Sequence, residues 1–232
     1  MKKVFVNGYG SIGSRITKFI KDDPDIDVVG IGKHSSNEKV QHVINDGFSV
    51  YVPGDKIDNF KNYDISGSIE SVIDNCDLVI DASPGGNGFV NKKNIYEPKG
   101  IKAIFQGGET IFNDNAVADI LFNSRVNYTE AFNKKYVMQG SCNVTGMGRI
   151  LNPLREKYAD KLARFDATLI RRWADLEQTD KQTVDTIEMT EQPHHGTDVK
   201  AYFGKDAPLF VRAIKVPTKQ MHLHIMDIRF NG

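Results

Sequence analysis

The sequence predicts an α/β protein whose amino-terminal part is a doubly wound parallel sheet of Rossmann type. Two observations carry that expectation. The chain opens on a short apolar run that passes straight into a G-x-G-x-x-G turn and an amphipathic helix. Apolar strand-like runs then alternate with helical stretches as far as YVMQ, which reads as the last strand of the sheet. At 232 residues the chain has room for one large or two small domains.

The elements are justified in order. In VFVNGYGSIGSRITKFI, Val4 to Val6 read as a buried strand, and Ile12, Ile16, Phe19 and Ile20 mark one helical face. Gly8 permits the tight turn, Gly10 lets the backbone approach a pyrophosphate, and Gly13 allows close helix–strand packing. The N–H groups at Ser11 and Ile12 open the helix and suit phosphate oxygens. The second strand, DVVGIGKHSS, ends about twenty residues later, where an NAD site carries an acid for the ribose 2′-hydroxyl. Here Gly32, Lys33, His34 and Ser35 stand instead, with no acid before Glu38. A lysine pairs with a 2′-phosphate, so Lys33 makes NADP the expected coenzyme and NAD the alternative; a solvated lysine is the plain reading of the same position.

GFSVYVP follows as a short strand and SIESVIDN as a helical turn or two. CDLVIDASPGG and IKAIFQGGE are strands ending in the loops Ser83-Pro84-Gly85-Gly86 and Gln106-Gly107-Gly108, at the sheet edge where ligands bind. Cys76 precedes the apolar LVI run and is expected to pack, without chemistry.

YVMQGSCN delivers the other cysteine, Cys142, to that same edge, with a helix expected from Thr145 to Leu154. A thiol at a helix amino end is biased toward thiolate, and Asn143 and the backbone N–H groups are candidate oxyanion donors; a buried structural cysteine is the alternative. LIRRWAD puts Arg171 and Arg172 on opposite sides of a strand, one toward a ligand phosphate and one away. EQPHHGTD offers His194 and His195 in a turn-like setting, fit to donate to an anion. The segment from Met221 alternates, with Met221, Leu223 and Ile225 on the half-buried side and His222 and His224 on the polar side. In a cysteine enzyme one of these imidazoles is the base.

Composition excludes several classes. Thirty basic residues balance thirty acidic ones, and the basic residues are dispersed, so neither nucleic acid nor an anionic membrane is an expected partner. There is no apolar run of membrane-spanning length, the start shows no signal peptide, and two distant cysteines lack metal-ligand spacing, so no metal is expected and a cytoplasmic location is.

Seven motifs stand in order along the chain: VNGYGSIG, QGGE, NY-x-EA, SCN-x-TG, IRR-x-AD, PHHG-x-D and MHLH. Together they closely resemble the archaeal-type (type II) glyceraldehyde-3-phosphate dehydrogenases. The resemblance implies a dinucleotide-binding domain over residues 1–139 and part of an α+β catalytic domain with a mainly antiparallel sheet over 140–232. It also implies phosphorylating oxidation of glyceraldehyde 3-phosphate to 1,3-bisphosphoglycerate with NADP or NAD, in glycolysis or gluconeogenesis. Cys142 would be the nucleophile and His222 the base, with His224 in reserve. Ser141, Asn143, His194 and His195 would contact substrate. Ser11, Ile12, Gly108 and Arg172 would contact coenzyme, and Lys33 would serve NADP use. A homotetramer is expected when the chain is full length.

Three departures stand out. Val144 replaces a threonine of the usual SCN-T-T-G, Trp173 replaces a small residue, and the chain stops at Gly232 where members of the family continue. A truncated product, or an incomplete gene, is therefore expected, with an exposed sheet face or edge. The alternatives are another Rossmann oxidoreductase, of semialdehyde dehydrogenase or dihydrodipicolinate reductase type, and an inactive dinucleotide-binding fragment.

Overall fold

The computed structural model describes residues 1–106, 108–158, 161–174 and 185–231. Gly107 of QGGE, Asp175 of IRR-x-AD and Gly232 lie outside the described residues. The chain divides into two compact units, Met1–Ile120 with Asn133–Gln139, and Leu121–Phe132 with Gly140–Gly232. The segment Leu121–Phe132, placed within the amino-terminal domain by the sequence, groups with the second unit.

The first unit begins with β1 (Lys2–Asn7), α1 (Ser11–Ile20), β2 (Ile26–Gly32), α2 (Lys39–Asn45) and β3 (Val50–Val52). β4 (Gly67–Ser68), α3 (Ile69–Ile73), β5 (Leu78–Asp81), α4 (Asn87–Asn91), α5 (Glu97–Lys99) and β6 (Lys102–Phe105) follow, and β7 (Ile120–Phe122) and β8 (Tyr136–Gln139) complete the sheet. Strand order is β4-β3-β2-β1-β5-β6-β8-β7. β1 pairs in parallel with both β2 and β5, so connections leave it in opposite directions and the topological switch falls between β1 and β5. Strands covered on both faces need apolar residues on both, and Val4, Phe5, Val6, Ile31, Val79, Ala103 and Phe105 are all buried.

The second unit contains α6 (Cys142–Tyr158), β9 (Leu162–Arg172), β10 (Glu188–Thr190), α7 (His194–Phe203), β11 (Leu209–Val216) and β12 (His222–Phe230). Its sheet runs β10-β11-β9-β12. The sheet is mixed: β10–β11 and β12–β9 are antiparallel, while the central β11–β9 pair is parallel. Phe165, Ala167, Leu169, Val211 and Ala213 bury one face.

Two expectations change here. Helix α6 starts at Cys142 rather than Thr145, because the Ser141 Oγ accepts from the Val144 N–H at 3.3 Å and caps the first turn. On β12 the apolar residues are the uncovered ones: Leu223 is 57% and Ile225 55% exposed, whereas His222 and His224 are half-buried. Period-two alternation separates two faces of a strand, but packing partners decide which is covered. Met221 lies outside the strand with φ at 64°.

Candidate active site

In the first unit, Asn7 ends β1 and the turn beginning at Gly8 carries the chain into α1. Gly8 has φ at 113°, and a Cβ there would meet the Ala82 carbonyl oxygen at 2.6 Å. A Cβ on Gly13 would fall 2.0 Å from the Gly8 oxygen, so the helix can sit against the turn only without a side chain. Gly10 differs: a Cβ there would have nothing within 4 Å. It would stand in the open space from which a pyrophosphate approaches the backbone. Gly10 is also the N-cap of α1 and offers no side-chain cap to the first turn of the helix. These residues fit a dinucleotide.

Lys33 follows β2 and is only 7% exposed. Burial, then the neighbouring charge of Lys39, pulls its pKa below the usual lysine value. Gly108 lies in the loop after β6 with φ at 94°, against Gly85, whose added Cβ would meet the Gly108 oxygen at 2.7 Å. Glu109, quoted in QGGE without a role, accepts from the N–H groups of Gly86 and Gly88 at 2.8 and 2.9 Å and ties these two loops together.

In the second unit, Cys142 is the first residue of α6 and is exposed, whereas Cys76 is not: its thiol donates to the Val72 oxygen and burial pushes it up to about 11. Next to the exposed thiol, Asn143 is buried with both ends of its amide engaged. Its Oδ1 lies 2.8 Å from His224 Nε2, and its Nδ2 lies 3.3 Å from His195 Nε2. One N–H of the Asn143 amide nitrogen is directed at His195 and its oxygen at His224. The His224 ring lies against α6 at Gly146, where a Cβ would stand 3.4 Å from its Cε1.

Helix α7 begins with His194 and His195, whose rings stack with centroids 4.0 Å apart. His195 is buried, and desolvation, then His194, Arg171, His222 and His224, lower its pKa to about 3. A neutral His195 that accepts from Asn143 at Nε2 carries its proton on Nδ1, and that buried atom has no partner among the described residues. Arg171 Nε is likewise buried and unpartnered.

Register explains why these groups meet. Arg171 pairs with His222 and Leu169 with His224, so Arg171 and both histidines share the covered face of the mixed sheet. Arg172, the expected coenzyme contact, is on the other face, and its backbone N–H donates to His222 Nδ1 at 3.3 Å. Glu109 and Gly146 carry no role legible in the sequence, whereas the RR pair left open which of Arg171 and Arg172 faces a ligand, and the structure puts Arg171 on the face of the histidines.

A doubly wound sheet of dinucleotide-binding type, followed by a unit whose exposed thiol precedes an asparagine bonded to two histidines, places the chain among the Rossmann-type proteins with a cysteine-bearing second unit. No family model matches it. It is 38% identical over 231 residues to the glyceraldehyde-3-phosphate dehydrogenase of Sulfolobus acidocaldarius, covering 97% of this chain and 65% of that one. The corresponding protein of Methanopyrus kandleri is 36% identical over 236 residues, with 97% and 65% covered. That of Halobacterium salinarum is 37% identical over 234 residues, with 98% and 68% covered. The chain spans about two thirds of the length of the curated relatives it matches. It belongs to the glyceraldehyde-3-phosphate dehydrogenase family.

Proposed function

We propose that this chain carries the coenzyme fold and the reactive thiol of a phosphorylating glyceraldehyde-3-phosphate dehydrogenase. The observation that carries this reading is the exposed Cys142 opening α6, followed by an asparagine held by two histidines. Cys142, as thiolate, attacks the aldehyde carbon of glyceraldehyde 3-phosphate and forms a thiohemiacetal. First-turn N–H groups of α6 face the developing oxyanion. The nicotinamide supplies the hydride acceptor. The resulting thioester on Cys142 is cleaved by inorganic phosphate, giving 1,3-bisphosphoglycerate and the free thiol. His195 Nδ1–H and Arg171 donate to substrate or phosphate oxygens, with His194 and Ser141 beside them.

Gly8, Gly10, Ser11, Ile12 and Gly13 hold the pyrophosphate in this reading, with Gly108 and Arg172 as further coenzyme contacts. Lys33, just after β2 and only 7% exposed, pairs with a 2′-phosphate in this reading, which supports NADP over NAD.

The motif assigns the base to His222. One observation favours His224 as a second reading. The N–H of Arg172 holds His222 Nδ1 as an acceptor, which puts the neutral ring's proton on Nε2, whereas His224 binds Asn143 through Nε2 and keeps Nδ1 toward Gly146. Replacing each histidine by asparagine separates the two: the base variant loses the pre-steady-state burst, while the other keeps it and changes only KM.

Among the described residues no helix is long and apolar enough to cross a membrane. Cytoplasmic location and a homotetramer belong to the same reading, and the uncovered Leu223 and Ile225 support assembly. The test is mass spectrometry of protein mixed with substrate and oxidised coenzyme. An acyl adduct on Cys142 is expected. Its absence, with iodoacetate also leaving turnover intact, would favour a reductase without a thiol step; coenzyme binding without turnover would mark a binding module.

A further inference from the structure

Gly32 ends β2 at the position where a dinucleotide fold specific for NAD carries its acid. A Cβ at Gly32 would lie 2.4 Å from Asn7 Oδ1, 3.1 Å from Asn7 Cα and 3.1 Å from Phe5 Cζ. Asn7 Cα is the backbone of the central strand and Phe5 is fully buried, so neither has room to retreat. Oδ1 is the end of a side chain and would ordinarily swing aside, but here it is held.

The holding begins at Asp81, which ends β5. Its carboxylate accepts from the Ser83 N–H at 3.0 Å, the Ser83 hydroxyl, Asn91 Nδ2 at 2.8 Å and the Tyr96 hydroxyl at 2.6 Å. Because a carboxylate only accepts, Tyr96 must donate to it, and the Tyr96 oxygen then accepts from Asn7 Nδ2 at 2.8 Å. That sequence of donors turns the Asn7 amide nitrogen toward Tyr96 and its oxygen toward β2. There His34 Nε2 meets Oδ1 at 2.7 Å, and with the amide orientation settled His34 is the donor. Asn7 and Tyr96 are fully buried, so an alternative set of bonds through water is closed to them.

We infer that Asn7, oriented from Asp81 through Tyr96 and pinned by His34, is a specificity-determining residue that bars an acidic side chain at Gly32 and with it the NAD-type ribose contact. The inference rests on the first unit being a dinucleotide site. Coenzyme choice is then decided twice: Lys33 attracts the 2′-phosphate, and Asn7 keeps its competitor's acceptor out.

The experiment is a double-mutant cycle on the full chain, combining Gly32→Asp with Asn7→Ala. Urea unfolding of the ligand-free proteins reads the clash, and titration with NADPH and NADH reads the choice. Gly32→Asp alone is expected to be destabilised and to weaken both coenzymes without any gain for NADH. Adding Asn7→Ala should recover part of the stability and improve NADH binding about tenfold over the single variant. If Gly32→Asp fails to fold, Gly32→Ala replaces it in the same cycle, since the Cβ alone makes the close contacts. Strictly additive unfolding energies, or a gain in NADH binding by Gly32→Asp alone, overturn the inference while leaving the dinucleotide reading intact. A wild-type chain that binds neither coenzyme overturns that reading, and the assignment of Asn7 with it.

Discussion

Each unit contains a buried asparagine whose amide bonds a histidine, and the two are built to opposite ends. In the first unit Asn7 joins His34 to Tyr96, and the chain of bonds ends on Asp81, whose oxygens receive four donors. In the second unit Asn143 joins His224 to His195, and the chain ends on His195 Nδ1, which, like the nearby Arg171 Nε, is buried without a partner among the described residues. A satisfied polar network rigidifies a fold and specifies one arrangement. Buried donors without partners raise the energy of the free protein, and a ligand is one source of the missing acceptor. In the proposed reading the first network is scaffold beneath the coenzyme loop, and the second is a site prepared for substrate oxygens.

The largest expected difference between the two lies in chemistry. Cys142→Ser should lower turnover by roughly four orders of magnitude. NADPH binding should remain within about twofold of wild type, because the residues proposed to hold the pyrophosphate belong to the first unit. Steady-state assay beside fluorescence titration measures both. Turnover retained in the serine variant would remove the thiol from the mechanism.

The next difference lies in stability. Asp81→Ala strands four donors in a buried setting and should cost about 3–5 kcal/mol in urea unfolding, a large share of a domain's stability. Asn143→Ala should cost about 1–2 kcal/mol, since its partners already include an unsatisfied nitrogen, while reducing turnover strongly. Equal losses of stability in the two variants would erase the distinction between scaffold and site.

The first network was invisible in the sequence, although its frame was not. Glycine spacing and apolar runs are local signals, so the parallel sheet, the turn at Gly8 and the loop ends were legible. Asn7, Asp81 and Tyr96 are far apart in the chain, and only pairing of β1 with β5 brings two of them to one edge. A lone acid closing the buried LVID strand was the available hint. In the second unit Ser141 was a readable cap for a helix beginning at Cys142, since its hydroxyl oxygen accepts from the Val144 N–H three residues on. The covered face of β12 was not readable, since the apolar residues point away from the core and the histidines toward it.

Acid sharpens the comparison. His195 has a pKa of about 3 against an ordinary 6.5, because burial and the cations around it disfavour its charged form. Between those values the unfolded chain binds more protons, so stability must rise with pH across that window and fall on acidification. Between pH 6.5 and 5 the loss from His195 alone is on the order of 2 kcal/mol. Asp198 on the same helix opposes it: burial lifts its carboxyl to about 6, so the folded chain binds more protons and gains as pH falls from there toward 3.8. His195→Asn should flatten the acid limb of the stability curve and Asp198→Asn should steepen it. An unchanged limb in both variants would show that the two groups titrate as they do in the unfolded chain.

The smallest effect tests whether the first unit, too, carries a prepared group. Lys33 stands apart there, a cationic residue only 7% exposed, whose charge burial disfavours, beside an otherwise satisfied network. Lys33→Met should therefore stabilise the ligand-free chain by about 1 kcal/mol while weakening NADPH relative to NADH about tenfold or more. The sign with pH follows from its lowered pKa. The folded lysine gives up its proton before the unfolded one, so wild-type stability rises as alkali approaches the ordinary lysine range, and the advantage of methionine should shrink there. Melting curves at neutral and alkaline pH, with coenzyme titrations at neutral pH, measure it. A methionine variant that is less stable at neutral pH would mean that burial does not penalise this ammonium in the free protein, and Lys33 would not be a group prepared for a ligand.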